Sequence, residues 1–315
     1  METFNAPGTS PGTIAADTHL GVAALTVADL NRSVAFYEQA VGLPTLIRRD
    51  GTAILGFAGE QPLLVLVERP GARPPVAPHT GLYHVAILLP SRADLGQAIV
   101  RLHNAAYPLS GASDHAVSEA LYLDDPDGNG LEIYRDRPRE TWKRGQFGIH
   151  MVTEPLDVDG ILDAGAQAGP PPPMVPRGTR IGHLHLQVGD IAEAKRFYHG
   201  VLGFDVIWDV ARSGALFVSA GGYHHHLGLN TWQSRNAPPA PPDATGLRVA
   251  EITLPDAAEQ DRLAQRFADA GVPTSRRGEA LIARDPWGNV LVFTVGTGLT
   301  ADDAANVAAN VPPVT

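Results

Sequence analysis

Leu25-Thr-Val-Ala-Asp-Leu-Asn-Arg-Ser-Val-Ala-Phe-Tyr37, followed by Val41-Gly-Leu43, returns later in the chain as Leu186-Gln-Val-Gly-Asp-Ile-Ala-Glu-Ala-Lys-Arg-Phe-Tyr198, followed by Leu202-Gly-Phe204. Each copy reads as a short alternating strand, an Asp that caps a helix start (Asp29, Asp190), an amphipathic helix and a glycine stop (Gly42, Gly203). A second pair repeats differently. Leu123-Asp-Asp-Pro-Asp-Gly-Asn-Gly-Leu-Glu-Ile-Tyr134 matches Ala283-Arg-Asp-Pro-Trp-Gly-Asn-Val-Leu-Val-Phe293, and both read as two strands joined by an Asp-Pro-x-Gly-Asn turn. Ahead of each hairpin lie another strand and helix, at 83–90 and 93–106 and at 247–255 and 257–270.

The chain therefore divides into four units of strand, helix and further strands, in the order odd, even, odd, even. An N-terminal half, 18–140, holds modules at about 18–72 and 80–138. A C-terminal half, 179–297, holds modules at about 179–234 and 245–297. Between them, 141–178 ends in Gly169-Pro-Pro-Pro-Pro-Met-Val-Pro-Arg177 and reads as a linker with polyproline character. A second Pro-rich loop, 236–243, joins modules three and four. The tail, 298–315, is rich in Ala, Asp, Asn and Pro and is expected to be flexible.

Composition narrows the chemistry. The chain has 315 residues, 44% of them hydrophobic, and no apolar run of membrane-spanning length. Its formal charge of −10, with no Lys/Arg-rich block, argues against a nucleic-acid partner. The first residues lack the layout of a secretory signal and there is no cysteine, which together point to a cytoplasmic protein without disulfides or thiolate ligands. Histidine is plentiful, at 12 residues. A metal here must use imidazole and carboxylate, which suits Fe(II), Mn(II), Zn(II) or Ni(II).

The fourfold repeat resembles the vicinal oxygen chelate superfamily, which includes glyoxalases, bleomycin- and fosfomycin-resistance proteins and type I extradiol dioxygenases. The resemblance covers nearly the whole chain. It implies an α+β fold of four βαβββ modules forming two half-open barrel cups. It also implies metal ligands at two kinds of position: a His on a module's first strand, and a Glu just after the Gly-Asn turn. Module one has Val22 at the His position. Module four has no His there, and Val292 replaces the Glu. Module two supplies His84 and Glu132, and module three supplies His183, with His185 two residues on and facing the same side. His84, Glu132 and His183 would make a 2-His-1-carboxylate set of the kind that holds non-haem Fe(II) with open positions. The active cup would then join modules two and three across the linker. Pairing within each half would instead require a third ligand from module one, where His19 is the nearest histidine.

Three runs are more specific and resemble the CatE-type catechol 2,3-dioxygenases: Thr80-Gly-Leu-Tyr-His-Val-Ala-Ile-Leu-Leu-Pro90, Asp114-His-Ala-Val-Ser-Glu-Ala-Leu-Tyr122 and Gly221-Gly-Tyr-His-His-His226. That resemblance implies His115 and Tyr122 beside the substrate oxygens, and His225 as acid/base. Strand alternation would send His224 and His226 to one face and His225 to the other. The implied reaction is extradiol cleavage of a catechol by O₂ to a muconic semialdehyde, with Fe(II), or Mn(II) in its place, as cofactor. The partners are a small aromatic diol and O₂, and assembly into a homo-oligomer stays open. Trp232 and the 236–243 loop are expected in the pocket wall. Two other classes remain: a glyoxalase-like isomerase, which would want a second carboxylate, and a metal-free binding protein of the resistance type.

Overall fold

The computed structural model describes residues 12–49, 51–145 and 148–310. Module one comprises β1 (His19–Val27), α1 (Leu30–Phe36), β2 (Thr45–Arg49), β3 (Thr52–Leu55) and β4 (Leu64–Glu68). Module two comprises β5 (Gly81–Leu89), α2 (Arg92–Asn104), β6 (Gly111–Asp114), β7 (Ser118–Asp124) and β8 (Gly130–Asp136). Two short strands, β9 (Arg144–Gly145) and β10 (Gly148–Ile149), and helix α3 (Val158–Gln167) follow. Module three comprises β11 (Arg180–Gln187), α4 (Ile191–Ala194), β12 (Asp205–Val210), β13 (Ala215–Ser219) and β14 (Leu227–Asn230). Module four comprises β15 (Gly246–Leu254), α5 (Ala257–Asp269), β16 (Thr274–Arg277), β17 (Ala280–Arg284) and β18 (Val290–Val295), and α6 (Ala301–Asn310) closes the described chain.

The helix starts form as the sequence predicts, because Asp29 and Asp190 accept hydrogen bonds from the amides of Arg32 and Glu193. Both helices continue as a π turn, Tyr37–Val41 and Lys195–Val201, before the chain reverses. The two odd-module tyrosines then reach the even-module turns. Tyr37 donates to Asp125 at 3.2 Å, and Tyr198 donates to Asp285 at 2.8 Å. Each Asp also accepts from the backbone amides two and four residues on and from the Asn side chain of its own turn. The Phe-Tyr and Asp-Pro-x-Gly-Asn signatures are thus two sides of one contact, made twice, and they latch the modules of each half together.

The sheets, however, join the halves. One eight-stranded sheet runs β16-β17-β18-β15-β1-β4-β3-β2, from modules four and one. The other runs β12-β13-β14-β11-β5-β8-β7-β6, from modules three and two. At each centre the first strands of two modules pair antiparallel, β1 with β15 and β5 with β11. The pairing is therefore two with three and one with four. The halves 18–140 and 179–297 are repeats in sequence, not separate cups.

Two expectations are corrected. Residues 141–178 do more than link. Helix α3 packs on α2, where Gly96 and Gly165 let the two backbones approach so closely that a Cβ on Gly96 would lie 2.2 Å from the Ile161 carbonyl. The tail is not flexible through 301–310, where α6 buries Ala304, Ala305, Val307 and Ala308. Residues 311–315 lie outside the described residues. No helix of the described residues is long and apolar enough to cross a membrane.

Candidate metal centre

The site begins with strand register. On the cup face of the second sheet, Glu132 of β8 lies beside Ala86 of β5, and Ala86 lies opposite His183 of β11. A larger residue at 86 would stand between them. With alanine there, His183 Nε2 reaches Glu132 Oε2 at 3.0 Å. His84, two residues before Ala86 on the same face, brings its Nε2 to 3.0 Å from the same oxygen. All three side chains are buried, and their donor atoms lie within 4.8 Å of one another.

This set fits a divalent cation on its own chemistry. His84 Nε2 is buried, and its contact with Glu132 lacks hydrogen-bond geometry, so a polar atom in the protein interior stays unpaired. Separations of 3.0 Å match neighbouring ligands of an octahedral ion bound at about 2.1 Å, which lie roughly 3.0 Å apart. Burial lowers His183 to about 4, only partly opposed by the Glu132 charge, so its imidazole is neutral at pH 7. Burial alone would raise Glu132, but His183 and His84 outweigh it and hold the carboxyl well below its usual range. A neutral imidazole and a carboxylate are the forms in which these side chains ligate metal.

The cluster lies in the wall of a cavity of about 700 Å³. Ala86, Leu88, Ala120 and Tyr134 pack together as a small buried cluster, with Tyr122 against it. Tyr122 stands directly opposite Glu132 in the β7/β8 ladder, and its hydroxyl is 2.7 Å from His115 Nε2. His115 Nδ1 lies 2.6 Å from the Val152 carbonyl. A carbonyl only accepts, so Nδ1 carries the proton and Tyr122 donates to Nε2. Burial, then the Glu132 charge, raises Tyr122 far above an ordinary phenol, so it keeps its proton. Both expected residues are therefore in the cavity wall. The linker completes this side with Met151, Val152 and Thr153, a contribution with no signature in the chain's motifs.

The histidine run departs from the strand geometry expected of it. His224, His225 and His226 lie in the bends before β14, and their rings turn three ways. Of the three, His225 lines the cavity, its ring 4.1 Å from that of His183. His226 turns to Ser219, 2.9 Å from its Nδ1. His224 places Nε2 at 2.8 Å from Asp136 Oδ1 and Nδ1 at 2.9 Å from His225 Nδ1. The carboxylate accepts from His224 Nε2, and with the other ring nitrogen of His224 accepting, His225 donates from Nδ1. His225 Nε2 is then left as a free lone pair. Asp136 and Tyr134, which joins the same network through Tyr223, were not foreseen. They alternate along β8 with Glu132, which was the available signal.

His185 also faces the cavity but stays outside the cluster. It lies opposite His84 in the ladder, its Nε2 is buried without a partner, and Gly228 leaves room for its ring. His19 lies in the other sheet. Trp232 lines the cavity as expected, whereas Pro239, Ala240, Pro241 and Pro242 of the 236–243 loop line a separate cleft.

A model of the Glyoxalase/Bleomycin resistance protein/Dioxygenase superfamily matches residues 19–133 and 180–293. A catechol-2,3-dioxygenase of Bacillus subtilis (strain 168) is 47% identical over 272 residues, covering 86% of this chain and 94% of the relative. Among solved structures, a provisionally assigned dioxygenase from Bacillus subtilis superposes with a TM-score of 0.61 at 14% identity, covering 95% of this chain and 91% of the other. Glyoxalase I from Zea mays superposes with a TM-score of 0.54 at 16% identity, covering 93% and 96%. At such identities these structures show a shared fold.

Proposed function

The chain belongs to the glyoxalase/bleomycin resistance/dioxygenase superfamily, and from that premise we propose that it is an extradiol catechol dioxygenase. His84, His183 and Glu132 would hold Fe(II), with Mn(II) as the alternative. The reaction would join a catechol-type diol to O₂, both oxygen atoms entering a muconic semialdehyde. The observation that carries this reading is the convergence of two imidazoles and one carboxylate on a cavity that also presents Tyr122, His115 and a free His225 nitrogen. The 47% identity to a catechol-2,3-dioxygenase supports it.

Bound Fe(II) supplies Lewis acidity toward the diol and one-electron exchange with O₂. The chain's own residues supply placement and protons. His225 Nε2 accepts a proton from the diol and later returns it to the cleaving product. Asp136, acting through His224, holds that imidazole in the required tautomer and steadies its positive charge while it is protonated. Tyr122 remains a phenol committed to His115, and its oxygen lone pairs can accept from a diol hydroxyl and orient the ring. Val117, Met151 and Phe217 give the cavity apolar walls that exclude water from these exchanges.

The test is anaerobic loading with Fe(II), followed by catechol in air-saturated buffer, with O₂ uptake and the yellow ring-opened product measured together. One O₂ consumed per diol supports the reading. Iron bound without O₂ uptake across several catechols overturns it.

A further inference from the structure

Resting on that reading, we infer that the preferred substrate is a diol bearing a bulky, uncharged, apolar substituent, gripped by Trp232 and Tyr83 at the cavity mouth. The cavity has two unlike walls. One holds the groups that would address the diol oxygens: His84, Glu132, Tyr122 and His115. The other is an aromatic arc drawn from module three. Trp208 stacks on Phe217 with ring centroids 5.7 Å apart, and Phe217 meets His225 at 5.0 Å. Trp232 meets both His185 and Tyr83 at 5.5 Å.

At about 700 Å³, the cavity lies within the range of roughly 300–1,000 Å³ typical of pockets for drug-sized ligands. A bare catechol held at the metal cluster would leave the arc unfilled. Trp232 and Tyr83 are 52% and 39% exposed, large rings left in solvent at the rim, where a second apolar group would cover them. Charge points the same way. The described lining has no Lys or Arg, and its acidic side chains are Glu132 and Asp124. A carboxylate on the substituent, held away from the metal cluster, would give up its hydration and meet no Lys or Arg in the described lining. The aromatic arc therefore selects for apolar bulk, and the absence of Lys and Arg from the described lining selects against acid-bearing diols.

Three substrates test this in the Fe(II)-loaded full-length protein: catechol, 3-phenylcatechol and (3,4-dihydroxyphenyl)acetate. The expected kcat/KM is at least tenfold higher for the phenyl compound than for catechol and at least tenfold lower for the acid, on the scale that pocket contacts allow (roughly 10–200-fold). Trp232→Ala should collapse the phenyl-to-catechol ratio, and Trp232→Arg should raise the relative rate of the acid. Equal rates on all three, or preference for the acid, overturn the inference while leaving the dioxygenase in place. If iron binds and no diol is cleaved, the dioxygenase reading falls. The arc is then judged by calorimetry on the metal-free protein, where 2-phenylphenol should bind at least tenfold tighter than phenol; equal affinities overturn it.

Discussion

The two cups have the same frame and opposite contents. In the cup of modules two and three, His84, Glu132 and His183 converge across Ala86. In the cup of modules one and four, the corresponding repeat positions are Val249, Val292 and Val22, all buried in one apolar cluster. The counterpart of Ala86 is Glu251, so the site that must be small in one cup is occupied by a carboxylate in the other. Glu251 accepts from the amides of Val22 and Leu299, the Thr294 hydroxyl and the Gln61 side chain. Its charge is spent on structure. Leu299 and α6 then fill the space that is open cavity in the first cup. Arg248 and Arg277 bind carbonyls of the helix, and Arg49 pairs with Asp302. A half-barrel must fill its concave face, and this chain fills one with its own helix and leaves the other for a ligand.

The largest expected effect comes from removing donors on one side only. Glu132→Ala or His84→Ala should abolish both iron binding and O₂ uptake, whereas Glu251→Ala should leave iron stoichiometry unchanged and lower Tm. Iron content by elemental analysis decides, and loss of iron in Glu251→Ala would break the comparison. Next, His225→Ala should keep its iron but lose about 10²–10⁴-fold in kcat. Normal turnover in that variant would remove the acid/base role. Third, the combined variant Val22→His, Val249→His, Val292→Glu should bind no second equivalent of iron, because α6 and Glu251 occupy the cup. It should instead be destabilised by several kcal/mol, read from denaturant unfolding, since each new polar group is buried without room for a partner. Fourth, Val307→Asp should cost about 2–4 kcal/mol by uncovering the filled cup, with the metal cup's iron affinity unchanged.

The last effect is shared by both sides. Burial, opposed by hydrogen bonds from Asn129 and Asp127, raises Asp125 in its turn to about 6. A carboxyl with a raised folded pKa binds its proton more tightly in the native state. Its contribution to stability is therefore greatest below the unfolded value near 3.8 and falls as pH rises to about 6, by about 3 kcal/mol at most. Asp125→Asn should flatten Tm between pH 4 and 6 relative to the parent. Asp285, raised by burial in the equivalent turn, should respond in the same direction.

The sequence revealed the parts of this comparison that rest on identity and period. The repeats mark the modules, and Val22 and Val292 mark the cup that lacks the His and Glu of the other. The crossed pairing followed because the three donors are divided between modules two and three. What was not legible depends on contacts between distant segments. Nothing in 148–154 signals that the Val152 carbonyl will set the His115 tautomer. Helix α6 is built from alanines and short polar residues, and its burial follows only once a concave sheet lies beneath it. Strand alternation predicts two faces for the histidine run, whereas the bend before β14 separates three rings.

Crossed pairing also has the form of an exchange between two equivalent halves. Two separate copies of a single half could close both cups by swapping partners, and symmetry would then make the cups identical. Any substitution that emptied one would empty the other. Joining the halves in one chain removes that constraint. Positions in 18–140 and 179–297 can drift independently, so three donors can become three valines on one side without loss to the other. The covalent tether across residues 141–178 is what permits a symmetric frame to divide, one cup lined by His84, Glu132 and His183 and the other filled by α6.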